Sequence, residues 1–187
     1  MKERGLLVVI SGPSGVGKGT VRNAFINNPE LNLVYSISMT SRERRPAERE
    51  GVDYYFVTRE RFEEAIKNDE LLEWTEFVGN YYGTPLAKVE ELRNAGKNVL
   101  LEIEVEGAMK VKEKCPDVLT IFIIPPSMEE LENRIRGRRT EPEEIVQQRL
   151  SKAHREMNML AQYKYVVCNE DAEEAAELIS VIIRRHM

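Results

Sequence analysis

A glycine-rich segment with a single lysine is the strongest candidate in this sequence for a functional site. It reads Gly12-Pro13-Ser14-Gly15-Val16-Gly17-Lys18-Gly19-Thr20. Glycines at this spacing let the main chain curl so that its N–H groups converge on an anion without obstruction by side chains. A helix that begins at the loop adds a favourable dipole, and Lys18 adds a positive charge for the outer phosphates. The segment therefore predicts a binding loop for a nucleoside triphosphate.

The order of residues in the loop assigns a role to each. We expect triphosphate contacts from Ser14, Gly15, Val16, Gly17, Lys18, Gly19 and Thr20. The strict motif has Ser or Thr directly after the lysine, where this chain has Gly19, so Thr20 is the candidate for the hydroxyl that faces magnesium. A glycine-rich turn that only caps a helix is the alternative. The continuous apolar run that precedes the loop favours phosphate binding.

Arginines are concentrated in two short windows of a chain that is acidic overall, with 27 basic and 32 acidic residues and a net charge of −5. The windows hold Arg42, Arg44, Arg45 and Arg49, and then Arg134, Arg136, Arg138 and Arg139. Guanidinium groups pair with phosphate oxygens and stay charged at any relevant pH. Arg134 and Arg138 lie four residues apart on one predicted helix, and Arg149 follows on the next, which predicts an arginine-bearing lid.

Two other interpretations of these arginines stay open at this point. Those of the second window can pair with neighbouring glutamates as solvated surface residues. Those of the first can form a nucleic-acid patch, although intervening glutamates and the net negative charge oppose it.

Composition excludes several other classes of protein. Of the 187 residues 42% are apolar, which is enough for one sizeable core. No apolar run approaches the ~20 residues that a membrane span needs. Cys115 and Cys168 lie far apart without a C-x-x-C pattern, so neither a disulfide framework nor a zinc site is indicated. We expect a cytoplasmic protein without a membrane or nucleic-acid partner, and its oligomeric state is left open.

Four apolar runs alternate with helical stretches, which predicts an α/β fold with a parallel sheet. The runs are 6–10, 99–103, 119–124 and 165–168. Helices are predicted near 85–95, 128–137 and 142–162, and from Asp171 onward. Thr84 is predicted to cap the first of these. Between about 36 and 83, tyrosines among short alternating segments indicate a small mixed lobe.

Several motifs together resemble the guanylate kinase family of nucleoside monophosphate kinases, and the match covers nearly the whole chain. Its carriers are the loop 11–18, the stretches 36–45, 51–56 and 79–84, and the pairs Glu73-Trp74 and Gly137-Arg138. The resemblance implies a P-loop fold with a five-stranded parallel core sheet flanked by helices. It divides the single domain into a core (1–36, 86–126 and 151–187), an inserted GMP-binding lobe (37–85) and a helical lid (127–150). The implied reaction is Mg²⁺-dependent, in-line phosphoryl transfer from ATP to GMP, or dGMP, giving GDP.

The resemblance also implies which side chains hold each substrate. The residues implied to bind the phosphate of GMP are Arg42, Arg45, Tyr54 and Tyr82. Those implied to face guanine are Ser38, Glu73, Thr84 and Glu104. The catalytic set is Lys18, Arg134, Arg138 and Arg149, with Asn169 near adenine. Thr20, and Glu102 through water, would face the metal; an acidic residue that merely ends a strand is the alternative for Glu102.

Chemistry supports a carboxylate as the group that selects guanine. Guanine presents N1–H and an exocyclic amine as adjacent donors, whereas adenine would leave a buried carboxylate unsatisfied.

Two positions depart from the family, which commonly has aspartate in place of Glu104 and glutamine in place of Glu106. The competing functions are a scaffold domain that binds phosphopeptides and a kinase for AMP, a deoxynucleotide or a phosphorylated sugar. The intact phosphate loop argues against the scaffold domain. The pair of Glu73 and Thr84 favours a guanine nucleotide over the other acceptors.

Overall fold

The computed structural model describes residues 3–77, 79–137 and 142–187. In chain order its strands are β1 (Leu7–Ser11), β2 (Leu33–Tyr35), β3 (Met39–Thr40), β4 (Tyr55–Phe56), β5 (Leu71–Phe77), β6 (Asn80–Pro85), β7 (Asn98–Glu102), β8 (Leu119–Ile124) and β9 (Tyr165–Cys168). Its α-helices are α1 (Lys18–Phe25), α2 (Arg59–Lys67), α3 (Leu86–Asn94), α4 (Val105–Lys114), α5 (Met128–Gly137), α6 (Glu143–Met157) and α7 (Ala172–Arg184). Short 3₁₀ turns lie at Pro29–Leu31 and Leu160–Gln162.

Five strands form the predicted parallel sheet, in the order β2-β7-β1-β8-β9. All four pairings are parallel, and β1 lies at the centre, with Leu7 opposite Val99 and Val8 opposite Leu119. The α/β prediction is confirmed. Four of the strands coincide with the apolar runs of the sequence, whereas β2 has only three residues, each at least partly exposed, and so forms no such run.

The core lies on both faces of this sheet because alternate residues of β1 point in opposite directions. Val8 and Ile10 join a cluster with residues of α1, α5, α6 and α7. Leu7 and Val9 join a second cluster with residues of α3 and α4. Burial of both faces fixes the C-terminal end of β1, and with it the start of the glycine-rich loop.

The segment between β2 and α3 forms a second, four-stranded sheet of mixed direction, in the order β4-β3-β6-β5. β3 pairs parallel with β4, and β6 pairs antiparallel with β3 and β5. α2 packs on it through Phe62 and Ala65, which form a third small core with Leu71. The register of β5 and β6 places Trp74 opposite Gly83, so the residues at 73 and 84 lie next to each other across the pair.

The helices agree with the sequence expectations in most respects. Ser127 caps α5 through the Glu130 N–H, at 3.0 Å, as its spacing predicts. The helix predicted over 142–162 is shorter, because α6 ends at Met157. The chain then turns back to bury Tyr163 against Phe122, with ring centroids 4.8 Å apart. Within the described part of the chain, no helix is long and apolar enough to cross a membrane.

Candidate active site

The glycine-rich loop, residues 12–17, joins the end of the central strand β1 to the start of α1. Gly15 and Gly17 have φ of +87° and +96°, a region in which residues with a side chain are strained. A Cβ on Gly15 would lie 2.8 Å from Ile135 Cγ1, and a Cβ on Gly17 would lie 2.7 Å from Asn169 Nδ2. Both positions therefore need glycine, for conformation and for space.

Lys18 holds its ammonium group across this loop. Nζ donates to the Gly12 carbonyl oxygen at 2.6 Å and to the Pro13 carbonyl oxygen at 3.3 Å. Burial lowers the pKa of Lys18, and the nearby carboxylates of Glu102 and Glu156 oppose this effect. A positive charge held at the loop between carbonyl groups can turn to incoming phosphate oxygens without a change of fold.

Helices α5 and α6 bring two of the predicted lid arginines to the loop. Arg149 Nη2 donates to Ser14 Oγ at 3.0 Å. Arg134 Nη1 donates to the carbonyl oxygens of Asn169, at 3.1 Å, and of Val16 in the loop, at 3.4 Å, and its Nε donates to Glu130 at 2.9 Å. The sequence left two interpretations of Arg134 open, and its contacts include both a neighbouring glutamate and the loop region. Arg138 lies outside the described residues.

Asn169 is buried beside the loop, where its side-chain amide donates to the Val16 carbonyl oxygen at 2.7 Å. This contact ties the end of β9 to the loop and occupies one of the donors of Asn169. The predicted approach of Asn169 to adenine stays a prediction.

The two metal candidates lie at the same end of the sheet. Thr20 is the third residue of α1 and is exposed. Glu102 ends β7 and pairs with Arg22 Nη1 at 2.8 Å. No cluster of three or more metal-ligating side chains occurs in the ranges that the structure describes. The hydroxyl of Thr20 and the carboxylate of Glu102 are oxygen donors of the kind that Mg²⁺ takes, together with waters and substrate phosphates.

The four residues predicted to hold the phosphate of GMP, here called the phosphate clamp, are Arg42, Arg45, Tyr54 and Tyr82. Arg42 lies over the Tyr54 ring, 5.6 Å from its centroid, and the Tyr54 and Tyr82 rings are 6.0 Å apart. The charge of Arg45 acts on Tyr54, whose pKa is raised mainly by burial. The fold thus brings the four side chains into one cluster.

Glu48 completes the phosphate clamp, and the sequence analysis gave it no role. Its Oε1 accepts from Arg42 Nη2 at 2.6 Å, and its Oε2 accepts from the Arg45 main-chain N–H at 2.8 Å. The hydrogen bond from Arg42 lowers the pKa of Glu48. The Glu48 N–H donates to the Arg45 carbonyl oxygen at 3.0 Å, which closes a four-residue turn. This turn brings the Glu48 carboxylate back to the two arginines.

Two of the predicted base-binding residues, Glu73 and Thr84, meet where β5 pairs with β6. Glu73 is 7% exposed, and its Oε1 accepts from Thr84 Oγ1 at 2.6 Å. Burial raises the pKa of Glu73, and the Thr84 hydrogen bond opposes this. Thr84 belongs to β6 and does not cap α3, because its hydroxyl is used by Glu73. Ser38 is partly buried next to β3, and its carbonyl oxygen accepts from Tyr55 N–H at 2.8 Å.

Glu104 differs from Glu73 in its surroundings. It is the exposed N-cap residue of α4 and pairs with Lys152 Nζ of α6 at 2.8 Å. After burial, its charge makes a small contribution to the raised pKa of Glu73. Glu104 is held by α6 through Lys152, and its predicted contact with guanine stays a prediction.

Comparisons with known proteins agree with this arrangement. A family model described as guanylate kinase matches residues 4–186. The chain belongs to the guanylate kinase family. The guanylate kinase of Lactococcus lactis is 54% identical over 183 residues, which are 98% of this chain and 89% of that protein. The guanylate kinase of Streptococcus pyogenes is 51% identical over 183 residues, which are 98% of this chain and 87% of that protein.

A crystal structure of guanylate kinase from Anaplasma phagocytophilum has the same fold. It aligns with a TM-score of 0.74 at 39% identity and covers 99% of this chain and 87% of that one. The fold expected of a guanylate kinase is confirmed.

One further residue near the loop, Glu156, was not identified from the sequence. Glu156 of α6 is buried, and burial raises its pKa. It shares a helix face with Arg149 and Ala153, at the i, i+4 and i+7 positions, and this periodicity could have identified it. Its charge stabilises the ammonium of Lys18.

Proposed function

We propose that the protein transfers the γ-phosphoryl group of ATP to GMP, and also to dGMP, in a Mg²⁺-dependent reaction that yields ADP and GDP or dGDP. The observation that carries this proposal is the buried Glu73–Thr84 pair at the junction between the sheet that bears the phosphate loop and the sheet that bears the phosphate clamp. The groups assigned to base and phosphate make no use of a ribose 2′-hydroxyl, which is why dGMP is included.

Phosphoryl transfer needs positioning and charge neutralisation more than covalent chemistry. The phosphate clamp holds GMP so that one of its phosphate oxygens attacks the γ-phosphorus in line, while the bond to the β-phosphate oxygen breaks and ADP leaves. Lys18 turns from the Gly12 and Pro13 carbonyls to the outer phosphates. Arg134 and Arg149, which already contact the loop region, stabilise the charge that spreads over the transferred group, and the sequence adds Arg138 to them. Closure of the lid over them excludes water that would hydrolyse ATP.

Mg²⁺ supplies charge neutralisation at the β- and γ-phosphates when it is bound. Thr20 and Glu102 are the residues that would hold it, Glu102 through water. Because Glu102 is already paired with Arg22, it is better placed to orient waters than to replace them.

The hydrogen bond between Thr84 and Glu73 determines which of their groups can bind guanine. Thr84 donates its hydroxyl proton to Glu73 Oε1, so this hydroxyl fixes the carboxylate and does not donate to guanine O6. The carboxylate remains able to accept from N1–H and from the exocyclic amine. The donor to O6 is then left to the hydroxyl of Ser38. The sequence adds Glu104 as a second acceptor, beside its pair with Lys152.

Replacement of Glu48 tests the phosphate clamp. Glu48→Gln raises the KM for GMP about tenfold, which corresponds to ~1.4 kcal/mol, because glutamine has no charge with which to hold the Arg42 guanidinium. The KM for ATP stays within about twofold. Glu43→Gln is the matched control in the same segment, since Glu43 contacts Arg42 through its main-chain oxygen. A lower KM for GMP in Glu48→Gln would show that the carboxylate competes with phosphate, contrary to this assignment.

A substrate panel tests the proposed function. Steady-state ADP production with GMP, dGMP, AMP, UMP and dTMP as acceptors is expected to give high kcat/KM for the two guanine nucleotides. We expect AMP to be used ~10⁴-fold less well, because a dry carboxylate is left unpaired against adenine. Comparable rates with GMP and AMP would reject guanine recognition.

A further inference from the structure

Gly107 lies directly against the carboxylate that we assign to guanine. It is a buried residue in the first turn of α4. A Cβ at this position would lie 2.9 Å from Glu73 Oε2, 3.3 Å from Cδ and 3.5 Å from Cγ. All three of these nearest atoms belong to the Glu73 side chain, so a methyl group at 107 would meet that side chain first.

The main chain gives no reason for glycine here. Gly107 is helical, and it is not among the glycines with positive φ. Glycine within a helix costs about 1 kcal/mol relative to alanine. The chain therefore carries a residue that weakens α4, at a position where the neighbouring atom is a functional oxygen.

Glu73 cannot move aside without losing its geometry. The residue is 7% exposed, and its Oε1 is held by Thr84 at 2.6 Å. A methyl group at 107 would push Oε2 by several tenths of an ångström and rotate the carboxylate about its contact with Thr84. The N1–H and the exocyclic amine of guanine need both Glu73 oxygens in the plane of the base, because hydrogen bonds weaken when they are bent.

We propose that Gly107 is a specificity-determining residue: its missing side chain leaves the space in which Glu73 presents both carboxylate oxygens to guanine. The inference rests on the proposed function. It concerns a residue that touches Glu73 and acts through it, and so it is a positioning residue for the base.

Gly83 shows what a purely structural glycine looks like at the same junction. A Cβ there would lie 2.8 Å from the Glu73 carbonyl oxygen and 3.1 Å from Phe62 Cζ. Those atoms belong to the main chain of β5 and to the core of the second sheet. A substitution at 83 would therefore disturb the fold, whereas one at 107 first meets the side chain of Glu73.

The test is Gly107→Ala, because this change is expected to act on GMP binding while the fold stays in place. The thermal midpoint stays close to that of the unmodified protein, since the helix propensity of alanine offsets the cost of moving the Glu73 side chain. The KM for GMP rises about 10- to 100-fold, because small misplacements of a binding group have large effects. The KM for ATP changes less than about twofold. An unchanged KM for GMP, or a lower midpoint with both KM values raised together, would overturn the inference.

A double-mutant cycle separates action through Glu73 from an independent effect. In the Glu73→Ala background no carboxylate is left to displace, so adding Gly107→Ala is expected to leave kcat/KM for GMP within about twofold of Glu73→Ala alone. Equal factors of loss in both backgrounds would overturn the proposal. Absence of GDP formation by the unmodified protein would reject the proposed function. An active protein that is indifferent to Gly107→Ala rejects only this inference.

Discussion

Lys18→Ala is expected to lower kcat about a thousandfold or more, because the variant loses the charge that follows the phosphoryl group into the transition state. The fold is expected to remain, since the hydrogen bonds of Lys18 Nζ go to two carbonyls of the same loop. Steady-state rates with ATP and GMP at saturation measure the effect, and a thermal melt checks the fold. A kcat within a few-fold of the unmodified protein would remove Lys18 from the mechanism.

The control for this variant is Lys88→Ala. Lys88 is an exposed residue of α3 that pairs with Glu91 at 2.8 Å, and surface pairs of this kind contribute little to stability. Its kcat and both KM values are expected to equal those of the unmodified protein. A similar loss in the two variants would point to an unspecific effect of charge removal.

Glu73→Gln is expected to raise the KM for GMP about 100-fold, with little change in the KM for ATP. The amide replaces an acceptor by a donor that faces guanine donors, and hydrogen bonds to charged groups contribute ~1.5–3 kcal/mol. Glu76→Gln is the matched control, because Glu76 lies on the same strand and is exposed. Equal loss for both substrates in Glu73→Gln would contradict a role in base recognition.

The pH dependence of GMP binding gives an independent check on Glu73. Burial raises the pKa of this carboxyl group, and the ionised form is the one that accepts from guanine. As the pH falls through the raised pKa, protonation removes an acceptor and the KM for GMP increases. This increase is expected to be absent in Glu73→Gln. The same rise in KM in both proteins would assign it to another group.

The core sheet was predictable because buried parallel strands leave continuous apolar runs. The runs that became β1, β7 and β8 are of this kind. The edge strand β9 keeps an apolar run although Val166 is exposed, whereas the edge strand β2 has only three residues and is too short to stand out. The end of α6 was not predictable from its own residues. It depends on the burial of Tyr163 against Phe122, a contact between distant parts of the chain.

The candidate site was predictable where its residues are contiguous, as in the phosphate loop. Roles that depend on pairing between strands were harder to assign. Thr84 has the local signature of a helix cap, yet the register of β5 and β6 places its hydroxyl on Glu73. Glu48 is one of the glutamates between the arginines of the first window, and its contact with Arg42 depends on how the segment turns, which the order of residues does not show.

The most direct test of the central claim is label transfer. ATP labelled at the γ-phosphate is incubated with the protein, Mg²⁺ and GMP, and the products are separated. The account predicts that the label appears in the β-phosphate of GDP, in one-to-one ratio with ADP, and that little free phosphate forms. Label that appears only as inorganic phosphate, or no labelled GDP at all, would contradict it.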